Sequence, residues 1–252
     1  MLKFSILKYI LFISFFYVCF AKANTEDITL YVENFPSESI KISKNLVGGI
    51  SGEIVTKAFS AKNMTYKAFW TRWKMAQNYT QKNSDKKSFI MPLTRNPERE
   101  KSYKWVVSLY NIDTVFWTLK GSKKLNSLAE AKGKKIGVLL GSSYENKLLN
   151  PKSNLLREDI ISVPYDSFNL KKLLSGEIQA FYESIIGGKA LIESEKLYFS
   201  DFENGKTIDT EENYLATSHA TPDALVAKVK NAVEEFKKTD DYKEIIKKYT
   251  AK

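Results

Sequence analysis

The chain is poor in the residues that usually announce chemistry. It has one cysteine, Cys19, and one histidine, His219, in 252 residues. Cys19 falls in an apolar leader, so the rest of the chain can form no disulfide, thiolate metal site or cysteine nucleophile. A lone histidine cannot by itself complete a catalytic triad or a metal cluster, and His219 is expected to face solvent ahead of a helix. No phosphate-cradling glycine loop and no metal-ligand spacing is present. After the leader, no run approaches the roughly 20 apolar residues of a membrane helix. The expectation is a chain without cofactor or metal, stabilised by an ordinary core.

The leader itself is informative. Lys3 and Lys8 precede an apolar run from Tyr9 to Phe20, and Ala21-Lys22-Ala23 gives an A-x-A arrangement. This predicts a secretory signal peptide, residues 1–23, cleaved after Ala23 and delivering the protein to the periplasm. Val18 stands before Cys19 where lipidation wants a small residue. The formal charge is +10, about +7 once the three leader lysines are gone. The lysines are interspersed with acids, as in 234–252, which describes a mixed-sign surface and no nucleic-acid partner. A monomer is expected.

The remaining pattern alternates strands and helices. Strands are predicted at Ile28 to Val32, Tyr66 to Phe69, Ser88 to Met91, Val106 to Tyr110 and Thr114 to Lys120. Gly48 to Gly52 reads as a turn before a helix at Glu53 to Lys62, and Trp73 to Gln81 as another helix. The pattern then restarts. Lys135 to Leu139, Ile160 to Val163 and Ile178 to Tyr182 are strands separated by helices, with Tyr198-Phe199 as one more candidate strand. Two helices close the chain, the first capped by Thr221. This predicts an α/β fold of two lobes, each with its own sheet: 24–110 plus 214–252, and 111–213. Ligands of open α/β sheets bind at strand carboxyl ends. Phe35, Trp70, Thr94, Ser142, Ser143 and Glu183 fall there.

The central stretch runs from Met91 to Trp105. Pro92, Asn96 and Pro97 suggest a turn into a short helix, with Thr94 or Asn96 as cap. Arg95 and Arg99 then stand where anions are favoured. Each is either a carboxylate-gripping fork or half of a surface ion pair. Glu183 is either a ligand acceptor or the partner of a lysine such as Lys189. Phe35 and Trp70 are either core aromatics or ligand platforms, and Arg72 either braces Trp70 or reaches the cleft.

With these pieces in order, the chain resembles the extracellular solute-binding proteins of family 3, the amino-acid receptors of ABC importers. The resemblance rests on Thr94 to Trp105, on Gly133 to Val138 followed by Gly141-Ser142-Ser143, on Gly176 to Phe181, and on Asp241 to Tyr249. Phe69-Trp70-Thr71-Arg72 is similar to an element of a less characterised branch. The resemblance implies a type II periplasmic-binding-protein fold, with a cleft between lobes joined by a two-crossover hinge. It implies that Arg99 and Ser143, with Ser142 beside it, hold a ligand carboxylate, that Glu183 accepts from the ligand amine, and that Thr94 bonds near it. Phe35 would sandwich the side chain. Glu183 replaces the usual aspartate, and Arg95 is an extra cation. As an exposed cleft side chain, Arg99 is expected to add little to folding.

Three functions are compatible with this reading. The first is a non-catalytic receptor for a small polar, carboxylate-bearing ligand, delivering it by hinge closure to an inner-membrane ABC permease. The second is a dehydratase-like enzyme on the same fold, with Glu183 as its base. The third is a sensory module docking on a separate membrane receptor.

Overall fold

The computed structural model describes residues 28–250. The signal peptide expected at residues 1–23, and Cys19 with it, lie outside the described residues.

The first strand, β1 (Ile28–Val32), alternates buried and half-buried side chains. A small ribbon follows, β2 (Ile40–Lys41) paired with β3 (Val47–Gly48). Helix α1 (Gly49–Ala61) starts earlier than its apolar periodicity suggests, because the glycines expected to form a turn open the helix instead. Gly49 takes φ +76, and a side chain at Gly52 would run into the Val47 backbone. The close approach lets the Ile50 and Ser51 amides donate to the carbonyls of Ser37 and Glu38. The loop carrying Glu38 is thereby tied to the helix start.

β4 (Tyr66–Trp70) and α2 (Trp73–Lys82) follow the predicted pattern. β5 (Ser88–Thr94) continues through Pro92, beyond the predicted end, and is buried throughout. Residues 97–102 form turns instead of the expected helix, and the Asn96 side chain accepts from the Arg99 amide at 3.0 Å. β6 (Lys104–Leu119) is one strand of 16 residues where the sequence suggested two. Asn111 and Asp113 break the apolar pattern there. The structure pairs them with Glu212 and Thr210, so the ladder does not break.

The second half adds α3 (Leu128–Ala131), β7 (Ile136–Leu139), α4 (Ser143–Leu149), β8 (Ile160–Val163), α5 (Ser167–Leu174), β9 (Ala180–Ser184) and α6 (Ile185–Ser194). Tyr198 and Phe199 are not a strand; the short strand is β10 (Phe202–Asn204). β11 (Asp209–Thr217) returns to the first half, and α7 (Asp223–Phe236) and α8 (Asp240–Thr250) pack there. Thr221 does not cap α7, since its hydroxyl is engaged by Asn83 and Thr217.

Among the described residues the main sheet runs β4-β1-β5-β11-β6-β9-β7-β8, with β10 also on β6. The expectation of two separate sheets is therefore corrected: hydrogen bonding is continuous, because β6 and β11 belong to both halves. The apolar core is nevertheless divided. One cluster joins β1, α1 and α7 to Val106, Leu109 and Ile112 of β6. Beyond them Val115 and Trp117 point into one second-half cluster and Phe116 into another, on the opposite face. That is the period of two expected of a strand covered on both sides.

Candidate functional site

Between the two halves lies a cavity of about 50 Å³. At about 10–15 Å³ per water, it has room for a few small groups. Its apolar walls are Phe35 and Trp73, whose rings meet edge to face at 5.4 Å, with Leu139, Tyr144 and Leu191. Its polar groups fall into two ends.

At one end stands Arg99, only 5% exposed. Its Nη1 donates to the Thr94 carbonyl at 3.0 Å and its Nη2 to the Gly141 carbonyl at 2.9 Å. Gln77 Nε2 donates to the same Gly141 oxygen at 2.8 Å. This carbonyl, from the β7–α4 turn, thus latches the second half onto the first. Gly141 has φ +77, a conformation that side chains rarely adopt. Burial lowers the Arg99 pKa from its usual range. Asn213 of β11 lies beside it, 3% exposed, accepting from the Thr94 hydroxyl at 3.2 Å. Its buried Nδ2 has no partner among the described residues.

The serines at this end are already engaged. Ser142 caps α4 by accepting from the Glu145 amide, and its own hydroxyl donates to the Leu139 carbonyl at 2.7 Å. Ser143 donates to Glu211 Oε2 at 2.7 Å. Burial raises the pKa of Glu211, opposed by its hydrogen bonds and the Arg99 charge.

The other end is acidic. Glu183, at the end of β9, is 6% exposed and accepts from the Ser184 amide at 2.7 Å. Glu38 is 7% exposed and accepts from Tyr110 at 3.0 Å and from Ser184 at 3.1 Å, bridging the halves. Asp166, ahead of α5, completes the cavity wall. Burial pushes Glu38 up to about 7. Asp166 keeps some surface exposure, yet burial and the neighbouring Glu38 bring it to about 7 as well. Burial, with Asp166 and Glu38 nearby, holds Glu183 well above the carboxylate range. Close by, Glu33 accepts from the Trp73 amide at the start of α2, and burial raises it to about 8.

Of the residues singled out from sequence, Phe35, Thr94, Arg99, Ser142, Ser143 and Glu183 line this one cavity. Two do not. Arg95 forms a bidentate ion pair with Glu100 at 2.6 and 2.9 Å and lies over Trp105 and Tyr214. Trp70 donates its indole N–H to the Lys44 carbonyl and packs on the first core. Neither side chain lines this cavity, because these local partners hold Arg95 in an ion pair and Trp70 against the first core. Glu38, Asp166, Asn213 and Trp73 were missed. Glu38 and Asp166 sit in loops without periodicity. Asn213 was legible only as the last residue of the expected second lobe, and Trp73 only as helix.

The profile of the bacterial extracellular solute-binding proteins, family 3, matches residues 28–252. No curated protein sequence matches the chain. Among solved structures, a histidine kinase sensor domain with similarity to periplasmic binding proteins superposes with a TM-score of 0.79 at 14% identity, covering 90% of this chain and 96% of that one. An ancestral arginine-binding protein bound to arginine gives 0.75 at 19%, covering 89% and 98%. The arginine-, lysine-, histidine-binding protein ArtJ from Geobacillus stearothermophilus gives 0.75 at 17%, covering 90% and 96%. At these identities the likeness concerns the fold, which is the mixed α/β fold of type II amino-acid-binding proteins.

Proposed function

Because the chain belongs to the bacterial extracellular solute-binding proteins of family 3, we propose that it captures a small zwitterion of the amino-acid class and presents it to an inner-membrane ABC permease. The observation that carries this reading is the two-ended cavity. Arg99 and the unpartnered Asn213 amide form a donor end, and Glu183 stands in an acidic end. A zwitterion needs a cation and N–H donors at its carboxylate and an anion at its amine. The solved neighbours that bind arginine, lysine or histidine support the amino-acid class.

Capture works by closure. The lobes in this reading are 24–110 plus 214–252, and 111–213, with β6 and β11 as the two crossings. Groups from both sides line the cavity: Arg99 and Glu38 on one, Ser143 and Glu183 on the other. A ligand touching both favours the closed state through its differential affinity. Arg99 holds the carboxylate, Glu183 the amine, and Phe35 with Trp73 the side chain. Ser143 contributes once its hydroxyl turns from Glu211. The site lies in the periplasm after cleavage at Ala23, so mass spectrometry of the exported protein should find Asn24 as its first residue.

A thermal-shift screen of the mature protein against amino acids, organic acids, small peptides and polyamines tests the reading, followed by calorimetry on the hits. Saturable binding of amino acids but not of the matching carboxylic acids without an amine is expected. A ligand set without an amine or without a carboxylate overturns it. The likeness to a histidine kinase sensor domain favours a second reading, ligand sensing through a membrane receptor. Co-purification of the loaded protein with a permease or with a sensor kinase separates the two.

A further inference from the structure

This inference rests on the ligand pocket proposed above and concerns the charge of what fills it. Glu38, Asp166 and Glu183 line the same cavity. A Cβ placed on Gly187 would meet Glu183 Oε1 at 2.8 Å and Glu38 Oε1 at 3.3 Å. The absence of a side chain there lets the two carboxyl groups converge over the first turn of α6. Their partners are neutral: a phenol for Glu38, a hydroxyl for Glu38, a backbone amide for Glu183 and the Asn169 amide for Asp166. Among the described residues no lysine or arginine forms an ion pair with any of the three.

The donor end does not balance them. Among the described residues Arg99 is the one basic side chain lining the cavity, and the charge of Glu211, itself held by Ser143, already acts on it. A neutral zwitterion adds one charge of each sign. Its carboxylate adds to what Arg99 and Glu211 already balance, and its amine answers one of three carboxyl groups. Burying an unpaired carboxylate is costly unless it keeps its proton or gains a cation. The orphan Asn213 Nδ2, nine-tenths buried on the same wall, is a donor without an acceptor among the described residues, so a cationic ligand keeps a carboxylate for the Arg99 end.

We infer that the ligand is a net cation: an amino acid whose side chain ends in a second ammonium or guanidinium group, held where Glu38 and Asp166 meet Glu183. Its binding releases protons. The groups that share this charge balance are Glu33 and Glu38 after β1, Tyr110 of β6, and Tyr144 of α4. Asp166 ahead of α5 and Glu183 of β9 complete the acidic end, with Arg99 and Glu211 at the opposite one.

Calorimetry on the mature protein with ornithine, lysine, arginine, glutamine and putrescine tests this. At least one cationic amino acid should bind at least about tenfold tighter than glutamine. Its apparent enthalpy should vary between buffers of different ionisation enthalpy, with the sign of proton release. Glu38→Gln and Asp166→Asn should each lower the cationic-to-neutral affinity ratio by roughly tenfold or more. Both are near-isosteric, and the wild-type ranking and proton count stand even where a variant folds poorly. Glutamine binding as tightly as every cationic amino acid, or no proton release, overturns the inference and leaves the zwitterion reading intact. Putrescine matching ornithine overturns the carboxylate half of that reading and leaves the charge inference standing. If none of the five binds, both fall.

Discussion

The two ends of the cavity are differently finished. Arg99 has carbonyl partners from both halves of the chain, and its positive end is nearly complete without a ligand. The acidic end has three carboxyl groups and only neutral donors. The Arg99 end therefore serves the fold by itself, whereas the acidic end is a standing cost, one that the proposed ligand would remove. A buried group with partners in the chain reports on architecture, and one without them reports on what the chain is built to meet.

The change that most disturbs this contrast is Arg99→Ala. Calorimetry should show ligand binding weakened by roughly tenfold to a few hundredfold. Unlike an exposed cleft arginine, this one also leaves the Thr94 carbonyl without that donor and loses one of the two bonds to Gly141. Denaturant melts of the ligand-free variant should lose about 1–3 kcal/mol. A variant as stable as wild type would show that the Arg99 end does not serve the fold.

The acidic end is tested by pH. A carboxyl raised in the folded state binds its proton there more tightly than in the unfolded chain, so the folded state is favoured where the group is protonated. For Glu38, Asp166 and Glu33, raised to about 7, 7 and 8, that contribution is complete below the ordinary carboxylate range. It is lost as pH rises through about 7 to 8. Each unit of such a shift corresponds to about 1.4 kcal/mol. Ligand-free protein should melt several degrees lower at pH 8 than at pH 5, and a bound cation should narrow the gap. A flat profile would mean that the acidic end carries no such cost.

A smaller effect is expected at the latch. Gly141→Ala puts a side chain at φ +77, which costs about 1–2 kcal/mol. It should also weaken binding modestly by shifting the carbonyl that Arg99 and Gln77 share. The smallest effect belongs to Arg95→Ala, outside the cavity. Its half-exposed pair with Glu100 is screened by solvent, so the melting temperature should scarcely move, with ligand affinity unchanged. A loss of affinity there would extend the site beyond the cavity described.

Much of the fold was legible because periodic burial writes itself into sequence. β1, β4 and α2 lie within a residue or so of their predicted ranges. The continuity of β6 was hidden because Asn111 and Asp113 look like a break, and only their partners on β11 show otherwise. Arg99 and Glu183 stood out through their places at strand ends. Glu38 and Asp166 did not, because a loop carboxylate in sequence looks the same whether it faces solvent or a cavity. Gly187 illustrates the limit: nothing around it in the sequence singles it out, and only packing shows that it leaves space for two carboxyl groups.

The 16-residue β6 has a mechanical consequence. With β11 it forms a two-stranded ribbon through the middle of the molecule, and in the proposed closure that ribbon would act as a leaf spring. A spring of this kind flexes where its leaves slip, and the ladder between β6 and β11 changes register at Asn213/Tyr214 and again at Leu215/Ala216. Asn213 also lies in the cavity wall. The irregular part of the ladder and the cavity thus share a residue, so in the proposed closure load applied at one would be felt at the other without a relay between them.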